Sequence, residues 1–196
     1  MNTPNNSLDQ IPVAQGTTGS EVAAQLLAAP AARTGLNLDE ARVIAGYMTA
    51  RFIPAETTFI REGDASDSGF MALLIDGDVV VERVNINQGE PVTIRVMGSG
   101  SLIGEIGLVD SEPRSASCTA ATDVWCAILT REGVDRMIQH DPVVAARLLL
   151  GVSANIAELL RDTTRQLKLY ARLATAMREE LSNVSTPAAP RADNQN

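Results

Sequence analysis

The sequence predicts an α+β fold that is mainly β: an antiparallel, jelly-roll-like β-roll with short N-terminal helices and a long C-terminal dimerisation helix. Three observations carry this. Between Phe52 and Thr130, short β-branched segments are cut by glycine-containing turn pairs at fairly regular intervals. Ahead of that stretch the apolar spacing is helical, and from Asp141 to Ser182 a helical period runs on without a strong breaker. The expected organisation is a disordered tail over 1–20, helices plus the roll over 21–140, the long helix over 141–182 and a second disordered tail over 183–196.

Residues 1–20 are rich in Asn, Gln, Thr, Gly, Ser and Pro, a composition that buries too little surface to offset ordering entropy. Helical spacing then covers Glu21 to Ala29 and Leu38 to Thr49, with Pro30 and Gly35 between. Asn37 and Glu40 are placed as a capping box for the second helix. The strand candidates are Thr57–Arg61, Phe70–Ile75, Val79–Val84, Val92–Met97, Ser115–Ala121 and Val124–Leu129. Breakers separate them at Gly63-Asp64, Asp76-Gly77, Gln88-Gly89 and Gly98-Ser99-Gly100, and Gly63 and Gly77 are expected in turns that need positive φ. Asp141 followed by Pro142 reads as N-cap and N1 of the last helix.

Composition narrows the function. A chain of 196 residues that is 45% hydrophobic has the core of one ordinary domain, while a net charge of −8 argues against a nucleic-acid surface. Cys118 and Cys126 are too few for a disulfide framework or a zinc site and read as buried reduced thiols, which fits a cytoplasmic protein with no metal. No run of about 18 uncharged apolar residues and no signal sequence is present, so neither membrane nor export is expected. The glycine run Gly98–Gly104 imitates a dinucleotide fingerprint, but Pro113 arrives before a helix of the needed length could form. Asp64–Gly69 hints at a calcium loop, yet Ile75 stands where the bidentate glutamate belongs. The single histidine, His140, has no nucleophile beside it and reads as solvent-facing, so the chain is not expected to be an enzyme.

The chemistry concentrates in Ile103-Gly104-Glu105-Ile106-Gly107-Leu108 and the following Pro113-Arg114-Ser115-Ala116-Ser117. Glycine lets the backbone approach a ligand, and a helical turn started there aims N–H groups at an anion. Arg114 can hold two oxygens of one phosphate, with Ser115 a small neutral donor beside it. An ionised Glu105 is acceptor-only and suits a sugar hydroxyl. The competing reading is an ion pair between Glu105 and Arg114 on an ordinary turn.

This segment resembles the phosphate-binding cassette of the cyclic nucleotide-binding domain family, whose pattern is roughly Gly-Glu-Leu-Ala-Leu, a short variable stretch, then Pro-Arg-Ser/Ala-Ala-Ser/Thr. The chain departs from it with Ile106 for Leu and Gly107 for Ala. The resemblance implies that Glu105 holds the ribose 2′-hydroxyl, that Arg114 holds the exocyclic phosphate oxygens, and that amides of the Gly104 to Gly107 turn complete the cradle. Ile103, Ser115 and Ala116 belong to the same cassette. It implies a cyclic nucleotide ligand without separating cAMP from cGMP, since Ser115 could also accept from a guanine amino group.

The last helix would span ~60 Å at 1.5 Å per residue, longer than a roll can cover. Leu149, Val152, Ile156, Leu159, Leu160, Thr163, Leu167, Tyr170, Leu173, Ala174, Met177 and Leu181 recur at steps of three and four, a seam that a homodimer would bury. A helix folded back on its own domain, or bent near Gly151, is the alternative. Gly151 to Leu167 is similar to the dimer helix of bacterial catabolite-activator-type regulators, with Thr163-Thr164 where those carry Thr-Ser. The likeness implies that these hydroxyls meet an adenine amino group, favouring cAMP; equally, they only fill the seam. The fourteen residues Asn183–Asn196 are too few for a helix-turn-helix, so no direct DNA binding is expected and a downstream protein partner reads the signal. A dimeric interaction scaffold with no ligand, or a different one, is the rival.

Overall fold

The computed structural model of the chain describes residues 7–13, 15–65, 69–84, 91–110 and 112–184. Its chain divides into two compact units, 1–156 and 157–196.

The first unit opens with a 3-10 turn, Ser7–Gln10, and two helices, α1 (Gly19–Ala28) and α2 (Leu38–Ala45), with a second 3-10 turn, Pro30–Ala32, between. The tail expected over 1–20 is thereby corrected from Ser7 onward. Leu8 and Ile11 are fully buried, and Ser7 Oγ accepts from the Ala50 N–H at 3.1 Å. Two apolar residues three apart anchor a segment whose overall polarity hid them; residues 1–6 lie outside the described set. The capping box is present as read, with Asn37 Oδ1 accepting from Glu40 N and Glu40 Oε2 from Asn37 N.

Eight strands follow: β1 (Thr49–Ile53), β2 (Thr58–Ile60), β3 (Phe70–Asp76), β4 (Val79–Val84), β5 (Pro91–Met97), β6 (Leu102–Ile103), β7 (Ser117–Ala120) and β8 (Val124–Thr130). They form two four-stranded antiparallel sheets, ordered β1-β8-β3-β6 and β2-β7-β4-β5. This is the predicted mainly β roll. Helix α2 stops at Ala45, short of the predicted Thr49, because Thr49–Ile53 pairs with β8 through Thr49↔Ile128 to Ile53↔Val124. Gly63 and Gly77 take φ of +81° and +88°, as their turns require. The Gln88-Gly89 breaker and residues 66–68 of the calcium-like stretch fall outside the described residues.

Strand β3 shows how the layers stack. Phe70, Ala72 and Leu74 point into the roll interior, while Met71, Leu73 and Ile75 point out to the helices, so one strand is buried on both faces. Helix α4 (Arg131–His140), which the sequence reading did not separate, caps β8 through Thr130, whose Oγ1 accepts from the Gly133 N–H at 3.2 Å. His140 is exposed at its end, as expected. Cys118 and Cys126 are free and buried, and burial pushes both thiols up to about 12.

Helix α5 runs Pro142–Val184, two residues past the predicted end. Its first turns belong to the first unit: Ala145, Leu148 and Val152 are buried against the helical layer, and Ile156 packs beside them. Tyr47 donates to Asp141 at 2.8 Å, Asn155 to the Ala32 carbonyl at 2.9 Å, and Arg147 pairs with Glu40 at 2.9 Å. Val152 is therefore core, not seam. In the second unit Leu160, Leu167, Tyr170 and Met177 are each about two-thirds exposed; the Leu181 side chain and residues 185–196 fall outside the described set. By length and composition α5 is also apolar enough over Pro142–Arg178 to cross a membrane, with a mean hydropathy of 1.7 in its most apolar stretch. That qualifies the absence of any span read from the sequence, although part of the same helix is core.

Candidate functional site

The cassette is short and local. β6 ends at Ile103, Gly104 turns the chain at φ +76°, and a six-residue helix, α3 (Glu105–Asp110), starts immediately. Ile103 is buried in the roll interior and pairs with Ala72, which fixes where the turn begins. The Leu108 N–H reaches the Gly104 carbonyl at 3.4 Å. The N–H groups of the first turn, including those of Ile106 and Gly107, have no preceding helical carbonyl and face outward from the helix start. Ile106 is half-buried and Gly107 buried.

Arg114 is the most unusual side chain of the fold: a guanidinium only 5% exposed. Its backbone is tied to the turn after β2, with the Arg114 N–H on the Asp64 carbonyl at 3.0 Å and the Gly63 N–H on the Arg114 carbonyl at 2.8 Å. Nη1 donates to the carbonyls of Phe70 at 2.9 Å and Gly104 at 3.0 Å. Its guanidinium carbon lies 4.3 Å from the Phe70 ring centre. A Cβ added at Gly104 would come within 2.9 Å of Arg114 Nη1 and 3.1 Å of the Phe70 carbonyl oxygen. Only glycine leaves room for the arginine to lie under the turn.

Glu105 and Arg114 are brought to the same turn, Glu105 starting α3 and Arg114 reaching the Gly104 carbonyl. Burial raises the Glu105 carboxyl above its ordinary value, against the pull of its own backbone N–H, of Arg95 on β5 and of Arg114. The folded form thus holds that proton more tightly than the unfolded chain. Stability contributed here falls as pH rises from the ordinary value of 4.5 through the raised one, and is level above it. Glu105→Gln is expected to flatten that fall, measured as denaturation midpoints across roughly pH 4 to 8; a wild-type profile already flat in this window would contradict the assignment.

Ser115 is exposed, and its carbonyl accepts from Arg83 Nε at 2.8 Å; Ala116 is half-buried beside it. Phe70, Arg83 and Arg95 were missed in the sequence because they stand on distant strands, and only the β3 and β4–β5 pairings bring them to the cassette. Thr163 and Thr164 lie in the second unit. Each is exposed, and each hydroxyl donates to its own helix, to Leu159 and Leu160 carbonyls at 2.8 Å. A recess of about 80 Å³ lies against Arg114, lined also by Thr58, Phe59, Ile60, Arg61 and Asp64. Among the described residues no group of three or more His, Cys, Asp or Glu side chains could hold a metal.

The donor set fits a phosphate on a sugar: a buried planar cation, a glycine turn that a Cβ would fill, first-turn amides, and one carboxylate for a hydroxyl. Residues 50–141 match the sequence model of the cyclic nucleotide-binding domain. The Cyclic AMP receptor protein of Thermus thermophilus is 30% identical over 137 residues, covering 70% of this chain and 60% of that protein. The chain therefore spans less than two-thirds of that relative's length. The crystal structure of the catabolite activator protein of Thermus thermophilus superposes with a TM-score of 0.61 at 30% identity, over 70% of this chain and 61% of that one. A cyclic nucleotide-binding domain from Methylobacillus flagellatus shares the fold with a TM-score of 0.66 at 24% identity, over 77% of this chain and 83% of that one.

Proposed function

Residues 50–141 form a cyclic nucleotide-binding domain, and on that premise we propose that the protein is a non-enzymatic cyclic nucleotide sensor whose ligand is cAMP in preference to cGMP. The observation that carries the reading is the buried Arg114 under the Gly104 turn, with Glu105 beside it. Arg114 would hold the phosphate, the Gly104 to Gly107 turn would supply amides, and Glu105 would accept from the ribose hydroxyl. The preference for cAMP rests on the Thermus relative's name and on Thr163-Thr164. Those hydroxyls would have to leave their own helix carbonyls to meet a base.

The exposed stripe through Leu160, Leu167, Tyr170 and Met177 supports pairing of two copies along α5. Ligand binding would then shift the dimer toward the conformation that clasps the nucleotide better, to be read by a cytoplasmic protein partner. A second reading, a dimeric scaffold with no ligand or a different one, is favoured by one observation: the Thr163 and Thr164 hydroxyls are engaged by carbonyls of their own helix. Calorimetric titration with cAMP and cGMP in competition separates the two, with light scattering for mass. Tighter cAMP binding by a dimer is expected; heat from neither nucleotide leaves the scaffold.

A further inference from the structure

Phe70 meets Arg114 twice. The ring lies face-on to the guanidinium at 4.3 Å, and the carbonyl of the same residue takes Nη1 at 2.9 Å. The Gly104 carbonyl takes that nitrogen from the other side at 3.0 Å. Both side chains are about 5% exposed or less, so water does not weaken the attraction between the cation and the ring face. A free arginine side chain samples many rotamers and loses that freedom when it grips a ligand. Here the plane is set by a ring and one end of the fork by two carbonyls, and turning any side-chain torsion would break a contact.

We propose that Phe70 is the positioning residue of the phosphate grip: its π face and carbonyl lock the plane of Arg114, so affinity for a cyclic nucleotide depends on the electron density of the ring at position 70. The proposal rests on Arg114 being the phosphate ligand. Phe70 also belongs to the roll interior, packed with Ile60, Ile103 and Ile128. A residue that only fills this core is sensitive to volume and indifferent to the sign of its quadrupole, whereas a cation-holding ring is sensitive to both.

The test replaces Phe70 in the full chain with phenylalanines carrying one, three and five ring fluorines, which keep the shape and withdraw charge from the face in steps. With cAMP as the calorimetric probe, affinity is expected to fall with each step, reaching about three- to thirtyfold at five fluorines, and the urea midpoint to fall alongside it, because the same contact is present without nucleotide. In the Arg114→Ala background the series is expected to be flat. Affinity independent of fluorine count, or an equal slope without Arg114, overturns the proposal. A second measurement needs no nucleotide: in protein labelled with ¹⁵N-arginine, the Arg114 side-chain N–H signal is expected at a ring-current-shifted position that Phe70→Leu abolishes. If the wild type binds neither cAMP nor cGMP but the shift is present, the phosphate reading falls and the lock stands; if the shift is absent, the lock falls.

Discussion

Arg114→Ala is expected to weaken cAMP binding by at least thirtyfold, because it removes a buried cation from the proposed phosphate site. Stranding a desolvated charge costs roughly 2–5 kcal/mol, and about 1.4 kcal/mol is a decade of affinity. The structure adds a second cost. Nη1 serves the carbonyls of Phe70 and Gly104; the buried Phe70 carbonyl would lose this donor, at about 1–3 kcal/mol, while the part-buried Gly104 carbonyl keeps the Leu108 N–H at 3.4 Å. Some of the loss will therefore register as lower stability, so denaturation must be measured beside the titration. Arg114→Lys separates the contributions: it keeps the charge, loses the planar fork, and is expected to bind more weakly than wild type but more tightly than alanine. Equal calorimetric affinities for wild type and Arg114→Ala, both folded, would remove the phosphate assignment.

The cassette was legible because it is local. Gly104, Glu105 and Arg114 sit within one short run whose residue types name their chemistry. The roll was legible from turn residues, since Gly63 and Gly77 mark places where the backbone enters the left-handed region. What escaped depends on partners remote in sequence. The helical spacing reads on to Thr49, whereas Thr49–Ile53 is a strand paired with β8. Phe70 reads as one more apolar strand residue until β3 and the cassette turn are seen together. Leu8 and Ile11 were hidden by a polar neighbourhood, although their burial fixes the start of the fold. Of the residues read as a seam, Val152 is spent on the core of the first unit, while Leu160, Leu167, Tyr170 and Met177 are exposed. Periodicity reports that a helix face is apolar; it does not report what covers it.

Gly104→Ala is expected to abolish most of the binding without replacing any of the polar side chains of the proposed site. Two costs are superimposed there. At φ +76° a Cβ incurs about 1–2 kcal/mol of left-handed strain, and it also arrives 2.9 Å from Arg114 Nη1 and 3.1 Å from the Phe70 carbonyl oxygen. The carbonyl belongs to a central strand held by β8, so the arginine is the group that moves. Gly63→Ala isolates the first cost, for Gly63 has φ +81° and open space around its missing Cβ. Gly63→Ala should lose on the order of 1 kcal/mol of stability in urea and Gly104→Ala more, since it also displaces Arg114, but only Gly104→Ala should lose cAMP affinity, by about tenfold or more. Matching losses of affinity in the two variants would mean that turn strain, not displacement of Arg114, is what the ligand feels, and an unaltered affinity in Gly104→Ala would mean that the guanidinium is not held where the phosphate binds.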